Sequence, residues 1–349
     1  MPTLDETAPK RNPDVAHDPM HDVYLVVTGT TAISGTFLDA DGASMTPPFA
    51  IAQTTAFTQT PRVTYGAGKL LVVWHDNRED PNQPALRARI VGWTGSAPEL
   101  DAPDFAVGAS TYWEMGAGLG FSETSQLFLV VWQSLPGDDI RARRVDTTGA
   151  LVGDEIQLTN DAEWQSGAAV AWSSARDEFL VTYTYAGATA AVFSQRIRAS
   201  DGELVGGAIE IGTSGGTWTT QAAYLPCDDR YFVGWVADEG AVGRLLTASG
   251  EPDGEPFAFP AGHGFPDGFA VAHHPVIDTM IAVMHGPSDE DVALAFLATG
   301  EQSAPIEATS SRGTDGHFNP RIAANALRRQ WLMVTSRAFT TVVAQRLEP

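Results

Sequence analysis

The sequence predicts an all-β fold: a single seven-bladed β-propeller over residues 1–349, with four antiparallel strands per blade. Three observations carry this expectation. A short apolar run recurs seven times, about every 50 residues; each run sits in a pattern of strand-length segments separated by turn-forming residues; and the two ends of the chain supply complementary parts of one repeat. Radial repetition of a sheet that cannot bury both its faces alone produces such a period.

The innermost strand of each repeat is rich in small residues, which suit a crowded axis. Examples are Pro61-Arg62-Val63-Thr64-Tyr65, Ala168-Ala169-Val170-Ala171-Trp172 and Pro320-Arg321-Ile322-Ala323-Ala324. The second strand is the apolar run itself: Tyr24-Leu25-Val26-Val27, Leu70-Leu71-Val72-Val73-Trp74, Phe128-Leu129-Val130-Val131-Trp132, Phe179-Leu180-Val181-Thr182-Tyr183, Tyr231-Phe232-Val233-Gly234-Trp235, Met280-Ile281-Ala282-Val283-Met284 and Trp331-Leu332-Met333-Val334. Runs this short, rich in β-branched and aromatic residues, read as buried strands and not as helices.

The third strand carries Arg before an aliphatic residue (Arg89-Ile90, Arg144-Val145, Arg196-Ile197, Arg244-Leu245, Arg346-Leu347) and runs into a glycine turn such as Thr94-Gly95 or Asp201-Gly202. Glycine tolerates the positive φ that tight hairpins demand. The fourth strand follows, as in Phe49-Ala50-Ile51, Ile209-Glu210-Ile211 and Ile306-Glu307-Ala308. Blades are expected to start near residues 13, 61, 115, 167, 221, 268 and 320. The last stops after its third strand, so residues 3–7 are expected to complete it as its outer strand. No linker or shift of composition interrupts the period, which argues against two smaller β domains.

Composition agrees with a large folded core: 43% of residues are hydrophobic, 18% are charged, and 34 Gly with 22 Pro supply many turns. A net charge of −22 opposes binding to a phosphate backbone and to an anionic membrane surface, so no nucleic-acid partner is expected. The plain reading of this acidity is solubility. Cys227 is the only cysteine, which excludes a disulfide framework and a thiolate metal cluster. No apolar run approaches the length that spans a bilayer, so no membrane insertion is expected. Residues Met1 to Pro13 do not show the basic-then-apolar pattern of an export signal. Two expectations stay open: a cytosolic protein, or an exported one whose leader precedes this sequence.

The segments Val72-Val73-Trp74-His75-Asp76-Asn77-Arg78 and Arg141-Ala142-Arg143-Arg144-Val145 resemble a repeat type of bacterial surface and secreted propellers. In it a strand ending in Val-Val-Trp precedes Asp-x-Arg and then an Ala-x-Arg-Val strand. The resemblance spans nearly the whole chain and implies extracellular or periplasmic placement; it implies no single activity.

On the face reached by the loops that enter the inner strands, six aromatics recur: Phe57, Trp113, Trp164, Trp218, Phe265 and, slightly displaced, Phe318. They read either as stacking platforms for a sugar or apolar ligand, or as wedges between blades. The loops between second and third strands on the same face depart from the repeat. They carry His75, Asp76, Arg78, Glu79 and Asp80, then Asp138 and Asp139, Asp238 and Glu239, His285 with Asp289, Glu290 and Asp291, and Arg337. Solvated loop charge accounts for most of these. His75 and His285 could serve as general base and acid with Arg78 or Arg337 neutralising a substrate carboxylate. Ca²⁺ could be held by the acidic loops, although no regular Asp-x-Asp-x-Asp loop is present and no cofactor is expected. The adjacent His273 and His274 should point to opposite strand faces and share no metal. No nucleophile elbow, phosphate loop or His-Glu-x-x-His motif occurs.

The expected function is therefore recognition of a glycan or other extracellular ligand by a monomer. Asp76 and Asp238, with the six aromatics, are the candidate contacts. The rivals are a polysaccharide lyase or hydrolase and a protein-interaction scaffold.

Overall fold

The computed structural model describes residues 3–4, 11–29, 32–53, 58–80, 84–100, 102–108, 113–135, 137, 139–215, 219–238, 240–259, 269–285, 291–297, 306–307, 317–337 and 341–348. These form a β-propeller of antiparallel sheets, each built mainly from strands consecutive in the chain. The innermost strands are Arg11–Asp18, Thr58–Gly66, Trp113–Ser122, Gln165–Ser173, Thr220–Leu225, Phe269–His274 and His317–Asn325. Each lies against its neighbour around the axis, and the last lies against the first.

Four strands in every blade does not hold. Six sheets have four strands, whereas the sheet built on Thr58–Gly66 has five. Its third strand, Ala85–Trp93, pairs with two short pieces, Pro98–Glu99 and Phe105–Ala106, in place of one outer strand. Pro103 lies between the pieces and lacks the amide a continuous ladder would need, while the Ala102 carbonyl is taken by Arg89 Nε at 2.8 Å. In the last blade Thr3–Leu4 pairs antiparallel with Thr341–Leu347, Thr3 opposite Val343 and Leu4 opposite Val342. Residues 5–7 lie outside the described residues.

The second strands are largely apolar along their middle because both of their faces are buried. In the first blade Leu25 and Val27 pack against Val63, Leu70 and Val72 of the following blade. Tyr24 and Val26 pack against Leu332 and Val334 of the last. The same two-sided packing recurs around the ring, with Leu129 and Val131 against Phe179 and Val181, and Tyr231 and Val233 against Leu180. Each such side chain contributes about 1.5–3 kcal/mol on burial.

The arginines of the third strands tie blades together. Arg89 Nη1 donates to the Ile51 carbonyl at 2.7 Å, Arg144 to Ser200 at 2.6 Å and Arg244 to Ile211 at 2.7 Å. Arg346 pairs with Asp41, while Arg196 pairs with Glu178 of its own blade.

All seven turns between first and second strands hold a non-glycine residue at positive φ, and four of these are aspartates: Asp22, Asp177, Asp229 and Asp278. Aspartate tolerates this region and offers carboxylate acceptors to its surroundings. Asp177 accepts from Ser122 and Ser125 of the preceding blade, and Asp22 from Asn325 and Arg328 of the last. His17 and His273, at matching positions, bond to Asp22 and Asp278 of their own turns. His274 turns instead to the Asn325 carbonyl at 3.0 Å.

Candidate functional site: the axial cavity

Five inner strands begin with a bulge. The register slips between Arg11 and Asp14, Gln59 and Arg62, Met115 and Gly118, Ser166 and Ala169, and Phe318 and Arg321. Each slip contains a residue at positive φ: Asn12, Thr60, Gly116, Gly167 or Asn319. A bulge re-aims the residue that follows it. Those residues, with Gln221 and Ala270 of the two strands whose described residues show no slip, all stand opposite the same position of the second strand, from Val27 opposite Asp14 to Val334 opposite Arg321. One level of the ring thus reads Asp14, Arg62, Gly118, Ala169, Gln221, Ala270, Arg321.

This level lines an axial cavity of about 360 Å³ to which all seven inner strands contribute. Its described charged residues are Asp14, Arg62 and Arg321, on three consecutive blades of the closed ring. Asp14 is buried and accepts the Val63 amide at 2.8 Å, tying the first blade to the second. Burial raises its carboxyl above the usual aspartate range, an effect that the charges of Arg62 and Arg321 and the amides of Val63 and Val15 offset only in part. Arg62 donates to the Pro61 carbonyl at 3.3 Å and Arg321 to the Pro320 carbonyl at 2.9 Å. Above them, Asn319 Nδ2 donates to Asn12 Oδ1 at 2.8 Å across the closing seam. On the opposite wall a Cβ at Gly118 would stand 2.7 Å from the Ala168 carbonyl oxygen, so this arc is kept small by the close approach of two strands.

His75 belongs to the same neighbourhood. Its Nδ1 is 2.9 Å from Thr60 Oγ1, and its Nε2 is sealed from solvent without a hydrogen-bond partner. Burial, reinforced by the Arg62 charge, lowers the ring to about 4, so it is neutral at neutral pH. His285 occupies the matching register on the blade of Phe269–His274, opposite Asp291. Two intervening blades, those of Asp14 and Arg321, separate the two histidines by the shorter way round the ring. The side chains of His285, Asp291 and Arg337 lie outside the described residues.

The remaining charges of the His75 loop are engaged with one another. Asp76 is buried and accepts Trp74 Nε1 at 3.2 Å and Arg78 Nε at 2.6 Å. Burial alone would raise its carboxyl, yet the bonds from Arg78 and Trp74 outweigh this and hold it below the usual range. Arg78 also binds Asp104 at 3.0 Å, and Arg87 joins Asp104 to Glu79 at 2.6 and 2.7 Å. The loop is stapled to the outer edge of its own blade. Asp139 is buried among Gln157 and Thr159, and Asp238 is exposed.

Of the six loop aromatics, Trp164 is described with its side chain and is 38% exposed. Its carbonyl accepts the Ala186 amide at 2.8 Å, next to the partly exposed Tyr185. Trp113 and Phe318 stand in the first and second positions of their inner strands, their side chains outside the described residues. Phe57, Trp218 and Phe265, with Asp138, Glu239, Asp289 and Glu290, also lie outside the described residues. Asp14, Arg62, Arg321 and Tyr185 escaped the sequence reading. Its one available signal was an arginine after proline in two strands otherwise built of small residues. Among the described residues no three His, Cys, Asp or Glu side chains converge as a metal site, and no helix is long and apolar enough to cross a membrane.

The chain is a β-propeller with an axial, arginine-bearing cavity, and comparison with known proteins refines that class at the level of fold. No family model and no curated protein matches it. Among solved structures it is similar to the BP39L lectin from Burkholderia pseudomallei, at 12% identity and TM-score 0.75 over 98% of this chain and 96% of that one. It is similar to the Hadza microbial sialidase Hz136 at 9% identity and TM-score 0.60, over 93% and 73% of the two chains. It is also similar to the α-L-arabinofuranosidase arb93a from Fusarium graminearum at 10% identity and TM-score 0.58, over 100% and 98%. Identities this low establish the shared fold and carry no activity across.

Proposed function

We propose that this protein is a carbohydrate-binding propeller that holds a glycan at the axial cavity without turning it over. The observation that carries the reading is the asymmetry of the inner ring. Three adjacent blades bring Arg62, Asp14 and Arg321 to a cavity whose other wall is made mainly of Gly118, Ala169 and Ala270. A pocket with a few polar groups on one side and room on the other suits a small ligand or the end of a chain. The exposed Trp164, on the same face, offers a flat surface for a sugar ring. The likeness to a lectin along nearly the whole chain is consistent with such a use. The Val-Val-Trp and Ala-x-Arg-Val repeat adds an exported location, and the reading calls for no metal or cofactor.

Hydrolysis of a glycosidic bond ordinarily uses two carboxyl groups. Among the described residues the cavity lining holds one, Asp14, already committed to the Val63 amide. One observation favours a second reading, a lyase: the neutral ring of His75 lies in the field of Arg62, so a proton acceptor and a cation for a carboxylate share one neighbourhood. Titration with acidic and neutral polysaccharides, following bound glycan and unsaturated product together, separates the two. Binding without product is expected. Product that disappears in His75→Ala would establish the lyase instead.

A further inference from the structure

We infer that the cavity selects an acidic sugar and seats its carboxylate between Arg62 and Arg321. This rests on the glycan-binding reading and names the class of glycan. The two guanidiniums belong to the blades on either side of Asp14, at one level of the ring. Among the described residues Arg62 makes no ion pair; its one hydrogen bond goes to the carbonyl of its own neighbour, Pro61. A purely structural latch between blades would close that arginine onto Asp14, yet among the described residues its one side-chain hydrogen bond goes to Pro61.

Asp14 is also a weak counter-charge for two arginines, because its burial favours the neutral acid. With two guanidiniums to one carboxyl in the described lining, the local balance is cationic in a chain whose net charge is −22. Guanidinium is the side-chain group that matches a carboxylate with two parallel N–H donors, and such charge-assisted pairs are strongest away from bulk water. The groups nearby fit the rest of a uronic acid. The Gln221 amide is a polar partner for ring hydroxyls, while Gly118, Ala169 and Ala270 leave space for the ring itself.

The test uses the full chain in calorimetric titrations with oligomers of galacturonate and glucuronate, their methyl esters, and neutral oligosaccharides of the same length. Esterification removes the charge and keeps the shape. The acids are expected to bind at least about tenfold more tightly than the esters, matching the loss of one charge-assisted hydrogen bond. Arg62→Gln and Arg321→Gln should each cost about tenfold for the acid and leave ester binding unchanged, with unaltered unfolding curves. Equal affinity for acid and ester overturns the inference and leaves the glycan-binding reading in place, as does an equal loss for both ligands in the Gln variants. Binding of none of the glycans overturns both.

Discussion

Two arcs of the inner ring share a backbone position and differ in what occupies it. From the last blade through the second the occupants are Arg321, Asp14 and Arg62; from the third through the sixth they are Gly118, Ala169, Gln221 and Ala270. At Gly118 the small residue is a steric requirement, since a Cβ there would meet the Ala168 backbone at 2.7 Å. At Arg62 and Arg321 long side chains replace it, and each strand carries a proline before the arginine. A repeat thus fixes where the position lies and leaves its chemistry to the individual blade.

The largest expected effect breaks the small arc. Gly118→Val forces a branched side chain into the Ala168 backbone, which cannot swing aside as a side-chain tip would, and should cost about 3 kcal/mol in chemical denaturation. A loss under about 0.5 kcal/mol would show that the strands can part, and that the small residues there are not sterically imposed.

Next comes the pH response of the charged arc. The folded His75 titrates near 4 against an unfolded value of 6.5. The unfolded chain therefore takes up the proton first on acidification. Stability associated with neutral His75 is complete above pH 6.5 and is lost as pH falls towards 4. At 1.36 kcal/mol per pKa unit, this is about 3 kcal/mol. His17 and His274 are lowered as well and act in the same direction. Denaturation midpoints of His75→Gln measured from pH 7 to pH 4 should fall less than those of the parent; parallel curves would remove His75 from this account.

Asp14 separates the two duties of its arc. Asp14→Ala strips the buried Val63 amide of its acceptor and should cost about 2 kcal/mol. Asp14→Asn keeps an oxygen for that amide. Because burial already raises the Asp14 carboxyl, the sign is opposite to that of a paired aspartate: ionisation opposes folding as pH rises through the folded value. The neutral amide should therefore stay within about 1 kcal/mol of the parent at pH 7. If the Asn variant loses as much as the Ala variant, the negative charge itself holds the seam.

The repeat was legible because the second strands are buried on both faces, so seven continuous apolar runs stand out of the sequence, with Leu25 and Tyr24 serving opposite neighbours. The glycine turns and the arginines of the third strands were legible for the same reason: each recurs with its blade. The split outer edge of the second blade was not, since Pro98–Glu99 and Phe105–Ala106 are too short to show an alternation. The charged loop after Trp74 looked like a site from its composition alone. Its neutralisation by Asp104 and Arg87 depends on a strand pairing that spacing does not reveal. Conversely, Arg62 and Arg321 read as ordinary strand residues, and only the bulge register puts them beside Asp14.

The smallest effect on stability is expected at the loop aromatics, and it decides between their two readings. A wedge between blades loses contacts when truncated and costs about 3–5 kcal/mol, as for a large aromatic in a core. Trp164 is 38% exposed, and its backbone carbonyl accepts the Ala186 amide whatever the side chain. Trp164→Ala should therefore change stability by less than about 0.5 kcal/mol, as surface substitutions do. If the ring is a stacking platform, the same variant should bind glycan about tenfold more weakly, with acid and ester affected alike. That pattern is the opposite of the one expected for Arg62→Gln, because stacking is indifferent to charge at the far end of the sugar. A stability loss of several kcal/mol with unchanged affinity would make Trp164 part of the scaffold and confine recognition to the charged arc.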